Sequence, residues 1–388
     1  MSPGRIPTLA PHGNGPALNC KASRASHPGD RICIVTVGRG SCYASGDSAD
    51  RQENPSRMKP ILRAIHIGVG NRGRWPLRLA TPEHGYRAVA LVDPDAEMLA
   101  AACALCGGVP AFTNLEEALA KTEADIAIIC SPTRFHVAQG GTCLRAGLHV
   151  LVEKGMAASL AEARSLVAAA KEAGRSLCVA QNYRYQAMER TVARMIGDPG
   201  HPQHVGAPFL VEYAQNRQRP HPRTLDYPFA SVWDMSCHHF DTLLLWLGPG
   251  FTDVTAKAFG PSWSRYEFPN NTSVQIAHAS GCMIHYLHTH DAAINEVRIR
   301  VQSARGAAVV DGDRVFFCPR SDLQLKNEAI IPVSMESHAG ESGVLADFYR
   351  HCVHGEPVGI SGSANLGVMA LCDATCRSAA SKSTVNLD

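Results

Sequence analysis

The sequence predicts an α/β fold, a doubly wound parallel sheet, followed by an α+β domain built on an open, mainly antiparallel sheet. Three observations carry this. Between Ile61 and Ala180, short apolar runs of strand length alternate with helical patterns; strands that are apolar throughout need cover on both faces, which crossover helices supply. After about Gln181, a long helical stretch precedes a series of strand-like segments separated by turns such as Ser280-Gly281 and Asp311-Gly312-Asp313, the layout of antiparallel pairing. Finally, 388 residues suffice for two cores, and 45% hydrophobic with 19% charged residues is a globular composition.

Taken in order, residues 1–57 are rich in Pro, Gly, Ser, Arg and Asn, and only Ile32–Val37 has strand character. Such a composition does not bury enough apolar surface to offset ordering entropy. The segment reads as a disordered leader, either a native extension or sequence upstream of a true start at Met58. Residues 58–180 form the first expected domain. Its strands are Ile61–Val69, Ala88–Val92, Ala124–Cys130, His149–Val152 and Leu177–Ala180, and its helices Asp95–Leu105, Leu115–Ala120, Phe135–Ala146 and Leu160–Ala173. The last is the clearest helix, with Leu160, Ala163, Leu166, Val167 and Ala170 in one stripe and Gly174 ending it. Residues 181–388 form the second domain. Its helix Ser231–Leu247 is followed by strands Phe251–Phe259, Thr272–Ala279, Cys282–His290, Glu296–Val301 and Ala307–Phe317, then helices Gly343–Cys352 and Asn365–Ala380.

A formal net charge of +2 singles out neither nucleic acid nor an anionic membrane as partner. No run reaches the roughly 18–20 apolar residues of a membrane span, and the N-terminus lacks a secretory pattern, so the expected location is cytoplasmic. Of fourteen cysteines, Cys130, Cys178, Cys282 and Cys318 lie in apolar runs and read as core residues. The Cys103/Cys106 pair lacks a second pair at zinc spacing and a thioredoxin context, so it reads as structural thiols.

Ile65-His-Ile-Gly-Val-Gly-Asn-Arg-Gly-Arg-Trp75 places Gly68, Gly70 and Gly73 in a GxGxxG spacing between a strand and a helical pattern, and Asp93 ends the next strand twenty residues after Gly73. That context is the dinucleotide fingerprint of a Rossmann domain. Gly68 permits the turn, Gly70 lets backbone approach a pyrophosphate, and Gly73 lets the helix pack, with its N-terminus facing the phosphates. Asp93 would accept the ribose hydroxyls and repel a 2′-phosphate, so NAD is expected over NADP.

With the later segments Cys130-Ser-Pro-Thr-Arg-Phe-His136, His149-Val-Leu-Val-Glu-Lys154, Gln181-Asn-Tyr-Arg184 and Asp234-Met-Ser-Cys-His238 with Asp241, the chain from Lys59 to Asp388 resembles the Gfo/Idh/MocA oxidoreductases, a family that includes glucose–fructose oxidoreductase and inositol dehydrogenase. The resemblance implies that Lys154 faces the nicotinamide and the reacting carbon. Burial is expected to lower its pKa so that it exchanges a proton as well as stabilising an alkoxide. Gly155 stands where the family pattern has Pro, and Ser236 where it commonly has Gly. Asp234 and His238, four apart on a predicted helix, share a face, with Asp241 close by. A carboxylate beside an imidazole raises its basicity, which assigns His238 as base, Asp234 as its orienter or a ligand of the substrate hydroxyl, and Lys154 as electrostatic partner. Cofactor contacts are expected from Gly68, Gly70, Asn71, Arg72, Gly73, Asp93, Ser131, Pro132, His136, Glu153 and Gln181, and substrate contacts from Lys154, Tyr183, Arg184, Asp234 and His238.

The implied activity is hydride transfer between a secondary alcohol of a sugar, polyol or inositol-like compound and NAD. The alternatives are a redox-neutral, NAD-dependent glycosidase and a non-catalytic NAD-binding regulatory protein. His288 and His290, two apart on a strand, share a face from which His285 is excluded; a sheet lining is expected there and no metal. The segment Gln215–Pro228, rich in Arg, Pro and His, is a candidate lid. The open sheet face suggests a homodimer or homotetramer.

Overall fold

The computed structural model describes residues 60–219, 227–320 and 331–387, all within one unit spanning Asp50–Asp388. The expectations for residues 1–57 lie outside the described residues, as do residues 220–226 of the candidate lid.

The first sheet is parallel, with strands β1 (Leu62–Ile67), β2 (Tyr86–Val92), β3 (Ala111–Phe112), β4 (Ile126–Ile129), β5 (His149–Val152) and β6 (Leu177–Val179) in the order β3-β2-β1-β4-β5-β6. The crossovers carry α1 (Arg74–Leu79), α2 (Ala96–Cys106), α3 (Leu115–Lys121), α4 (His136–Arg145) and α5 (Leu160–Ala173). Local chemistry sets their ends. Asp95, Asn114 and Ser159 accept backbone N–H groups at the starts of α2, α3 and α5, and Gly107 and Gly174 stop α2 and α5 in the left-handed conformation. β4 and β6 are buried at every position, as two-sided cover requires.

Next come α6 (Ala187–Gly197), β7 (Pro208–Gln218) and α7 (Cys237–Leu247), which follows a π-helical turn over Val232–Ser236. Strands β8 (Phe251–Phe259), β9 (Asn271–His278), β10 (Met283–Thr289), β11 (Asp291–Ser303), β12 (Gly306–Asp311), β13 (Arg314–Pro319) and β14 (Ile331–Pro332) precede helices α8 (Gly340–His354) and α9 (Gly362–Ser381) and the final strand β15 (Val385–Asn386). The second sheet has the order β14-β13-β12-β11-β7-β10-β9-β8-β15, antiparallel except where β7 runs parallel to β10. One face packs on α7 and α9 through Phe240, Leu243, Trp246, Val368 and Leu371. The other carries exposed or half-exposed side chains such as Met283 and His285. Helix α8 instead covers the first sheet, with Val344, Leu345 and Phe348 against Ile126, Ile128 and Leu151.

The structure corrects several elements. The single strand expected over Ala307–Phe317 is a hairpin, β12 and β13, turning at Gly312. Gln215–Gln218, expected in the lid, belongs to β7. The sequence reading passed over α6, although Met188, Val192 and Met195 pack on the core at helical spacing. No helix of the described residues is long and apolar enough to cross a membrane. Cys103 and Cys106 are both free thiols.

Candidate active site

The chain leaves β1 at Gly68, whose φ of +78° is left-handed, a conformation that strains any side chain. A Cβ at Gly68 would meet the Ser131 backbone just past β4, and one at Gly73 would meet the Gly68 carbonyl. These two glycines let the β1 loop lie against the β4 loop, where the strand order reverses and open α/β sheets bind ligands. Gly70 is different, because a Cβ there meets no protein atom within 4 Å. The protein's own packing does not require glycine at 70, whereas a close-lying pyrophosphate does. On that test the loop fits a dinucleotide. Gly70→Val is therefore expected to leave the unfolding midpoint nearly unchanged and weaken NAD binding about tenfold or more, roughly 1.4 kcal/mol. Gly73→Val is expected to cost about 1–3 kcal/mol of stability through overpacking. Calorimetric titration beside thermal melts checks both, and NAD affinity unaffected in Gly70→Val would remove the assignment.

Asp93 holds the same loop. Its Oδ2 accepts the Val69 N–H at 2.8 Å and its Oδ1 the Asp95 N–H at 3.0 Å, and each oxygen keeps a lone pair for a ligand hydroxyl. The expected helix dipole is smaller than assumed. α1 has only six residues, includes Pro76 and has no side-chain cap, so what the loop can offer a phosphate is mainly its own N–H groups. Asn71, exposed, lines a cavity of about 480 Å³ with Arg74, Trp75, Arg78, Leu79 and Glu341.

β5 delivers Glu153 and Lys154 at its C-terminal end. Buried Glu153 accepts Arg72 Nε at 2.6 Å and Trp75 Nε1 at 2.8 Å, so it ties the glycine loop to the strand that presents Lys154. Lys154 Nζ donates at 2.7 Å both to the carbonyl oxygen and to Oδ1 of Asp234, in the π-helical turn, and Arg219 Nη1 reaches Asp234 Oδ2 at 3.1 Å. A π turn holds one residue more than an α turn and recurs at functional sites. His238, one turn on, is buried, and its ring stacks on Tyr183 at 4.3 Å between centroids and 13° between planes.

The electrostatics follow from these contacts. Burial alone would lower Lys154, but Cys237, the charge and hydrogen bond of Asp234, and Glu153 outweigh burial and raise the group above an ordinary lysine. This corrects the expected lowering, and Lys154 is an ammonium throughout the neutral range. Burial would raise Asp234, and Lys154 and Arg219 together hold it below the usual carboxylate range. His238 lies well below an ordinary histidine, through burial first and the nearby Lys154 second, and is neutral at neutral pH.

Two expected partnerships are not formed. Asp234 spends its oxygens on Lys154 and Arg219, and His238 Nδ1 has no protein partner, so no carboxylate raises the basicity of His238. Asp241 accepts from Arg184 Nε and Nη2, at 2.9 and 3.0 Å, with the carboxylate buried and the guanidinium largely so. Arg184 thereby ties the turn after β6 to α7 through Asp241. His136, expected at the cofactor, is buried with Nε2 2.8 Å from the Ser131 carbonyl and Nδ1 2.8 Å from the Gly155 carbonyl; it braces the two loops from behind. Ser131 Oγ donates to Gln139 at 2.5 Å, Pro132 opens the turn before α4, and buried Gln181, past β6, keeps Oε1 without a partner. His288 and His290 do share the inner face, with rings 4.7 Å apart, while His285 is exposed. No group of three His, Cys, Asp or Glu among the described residues is arranged to hold a metal. The sequence reading missed Arg217 and Arg219, on and just past β7, and buried Glu189 on α6.

Residues 62–181 match the model of a family described as an oxidoreductase family with an NAD-binding Rossmann fold, GFO_IDH_MocA. The chain is 32% identical over 124 residues to 4-carboxy-2-hydroxymuconate-6-semialdehyde dehydrogenase of Sphingobium sp. strain SYK-6, a match covering 32% of this chain and 39% of that one. It is 35% identical over 98 residues to inositol 2-dehydrogenase of Corynebacterium glutamicum, covering 25% and 29%. These alignments span well under two thirds of either relative. An oxidoreductase from Agrobacterium radiobacter, solved with NAD+, L-tartaric acid and magnesium, has a TM-score of 0.73 at 19% identity over 84% of this chain and 98% of that one, a likeness of fold. Over residues 62–181, by motif, strand order and family match together, the chain is similar to the Gfo/Idh/MocA oxidoreductases.

Proposed function

We propose that the protein is an NAD-dependent dehydrogenase acting on a secondary alcohol of a sugar, polyol or inositol-like compound. The observation that carries this is the Lys154–Asp234 pair beside neutral His238, fastened to the glycine loop through Glu153. The residues holding the cofactor would be Gly68, Gly70, Asn71, Gly73 and Asp93, with Ser131 and Pro132 across the crevice. Bound NAD would supply the acceptor for the hydride that the alcohol carbon gives up on becoming a carbonyl. His238, uncharged and with Nδ1 unpartnered, takes the hydroxyl proton. The Lys154 ammonium stabilises negative charge at that oxygen, and Asp234 keeps Lys154 charged and in place. Tyr183, stacked on His238, fixes the ring plane.

The test is turnover by the full chain with NAD, and in parallel NADP, against sugars, polyols and inositols, read as near-ultraviolet absorbance of reduced nicotinamide. A substrate-dependent rise that His238→Ala abolishes supports the reading, and equal use of NADP would remove the role given to Asp93. NAD binding with no rise but hydrolysis of aryl glycosides would replace it with the redox-neutral glycosidase. NAD binding with neither leaves the non-catalytic reading.

The outer face of the second sheet, with Met283 and Ile294 exposed, supports a homo-oligomer formed by sheet burial. Light scattering is expected to give a dimer or tetramer, and Met283→Glu to shift it toward monomer. A monomeric mass for the unmodified chain would refute this.

A further inference from the structure

Along β7, Tyr213, Gln215 and Arg217 point to the inner face, and Arg219 continues the same alternation just past the strand. Tyr213 and Gln215 stand beside Tyr286 and His288 on β10. At one end this row is core, with Tyr213 and Tyr286 against His239 and Phe240 of α7. Two and three pleats on it becomes cationic and meets Asp234 and Lys154. Arg219 is engaged there, with Nη1 on Asp234 Oδ2 and Nη2 on Met235 Sδ at 3.2 Å. Arg217 is not: its Nε is buried with no partner among the described residues, as are Gln215 Oε1 and both ring nitrogens of His288 and His290. Lys154, Arg217 and Arg219 all bear on the Tyr183 hydroxyl, and the ion pairs there lead to one carboxylate, Asp234. The neighbouring imidazoles are neutral and add no countercharge. Glu189, pushed up to about 7 by burial, is only half ionised at neutral pH.

A partly buried guanidinium with no counterion is costly and binds a planar oxyanion strongly. We infer that the substrate carries a carboxylate as well as the reacting hydroxyl, and that Arg217, supported by Arg219, holds this carboxylate on the floor of the cleft. This rests on the dehydrogenase reading above. With Arg219 already shared with Asp234, one guanidinium remains, which suits a singly charged carboxylate better than a phosphate dianion.

The experiment measures kcat/KM with NAD for matched pairs, D-gluconate against D-glucitol and D-glucuronate against D-glucose, with D-glucose 6-phosphate as a third probe. The acids are expected to be favoured by roughly 100-fold, mainly through KM, the scale of losing one buried charge pair. Their KM is expected to rise with ionic strength while that of the neutral compounds stays flat. Arg217→Gln is expected to collapse the acid-to-neutral ratio and Arg217→Lys to restore part of it. Turnover without acid preference, a preference for the phosphate ester, or an unchanged ratio in a folded Arg217→Gln overturns the inference and leaves the dehydrogenase standing. NAD binding with no turnover of any probe overturns both.

Discussion

Lys154→Met is expected to lower kcat about 10²–10³-fold, the range for removing one preorganised donor from a developing oxyanion, while the unfolding midpoint and NAD affinity stay close to those of the unmodified chain. Lys154 sits on a strand end fixed by the Glu153 contacts, and among the described residues its ammonium bonds only to Asp234. Its removal therefore takes away one positive charge and leaves Asp234 still paired with Arg219. Asp234→Asn makes the companion case. Without the carboxylate, burial acts on Lys154 against only Cys237 and Glu153 and draws its pKa down, so the alkaline limb of the kcat profile should move to lower pH. A loss in kcat smaller than that of Lys154→Met is expected, and the double variant should be no worse than Lys154→Met alone, because both changes act through one pair. Lys154→Met turning over within a few-fold of the unmodified chain would end the assignment.

How much of this was legible in the sequence depends on how far apart the interacting residues lie. Strands β4 and β5 are readable because burial on both faces demands near-continuous apolar runs, and the loop after β1 is readable because Gly68 and Gly73 answer to backbone packing that only glycine satisfies. His288 and His290 were placed on one face by strand period alone. Partner choice among charges was not readable. The four-residue spacing of Asp234 and His238 suggested a couple, but a lysine 80 positions away competes for the carboxylate, and the π turn displaces Asp234 from α-helical register. Arg184 and Asp241 are 57 residues apart and pair in the interior, a choice set by the packing of α7 on the turn at Tyr183–Tyr185. The Arg-, Pro- and His-rich surroundings of Arg217 and Arg219 suggest a loop, although alternate residues of β7 from Val211 to Gln215 are buried.

Those buried histidines carry the second large expectation: the chain loses several kcal/mol of stability between pH 7 and pH 5. Burial draws His66 down to about 4, His239 to about 3 and His290 to about 4, with cationic neighbours adding to the last two, and it lowers His136, His238 and His288 as well. Between the ordinary value near 6.5 and these depressed values, the unfolded chain holds protons that the folded chain refuses, so acid favours unfolding. Each such histidine contributes up to about 1.4 kcal/mol per pH unit in that window. Asp234, held low, begins to work in the same direction as pH approaches the carboxylate range, while Glu189, raised to about 7, works against it because acid neutralises a charge that the interior disfavours. Asp241, raised by burial against the pull of Arg184, opposes the trend in its own range. Six histidines against these two carboxyls leave acid destabilisation as the net effect. Denaturant melts across this range should show it as a midpoint falling steadily from about pH 6.5. His66 gives the cleanest single-site check, since it is buried within β1 with both ring nitrogens unpartnered and takes no part in the contacts of the site. His66→Leu removes a group that must be desolvated without compensation, so it should be neutral or stabilising at pH 7 and flatten the acid slope by about 1.4 kcal/mol per unit. A stability that holds level or rises toward pH 5 would mean that these rings are protonated in the folded chain and find acceptors there, and the neutral state assigned to His238 would fall with them.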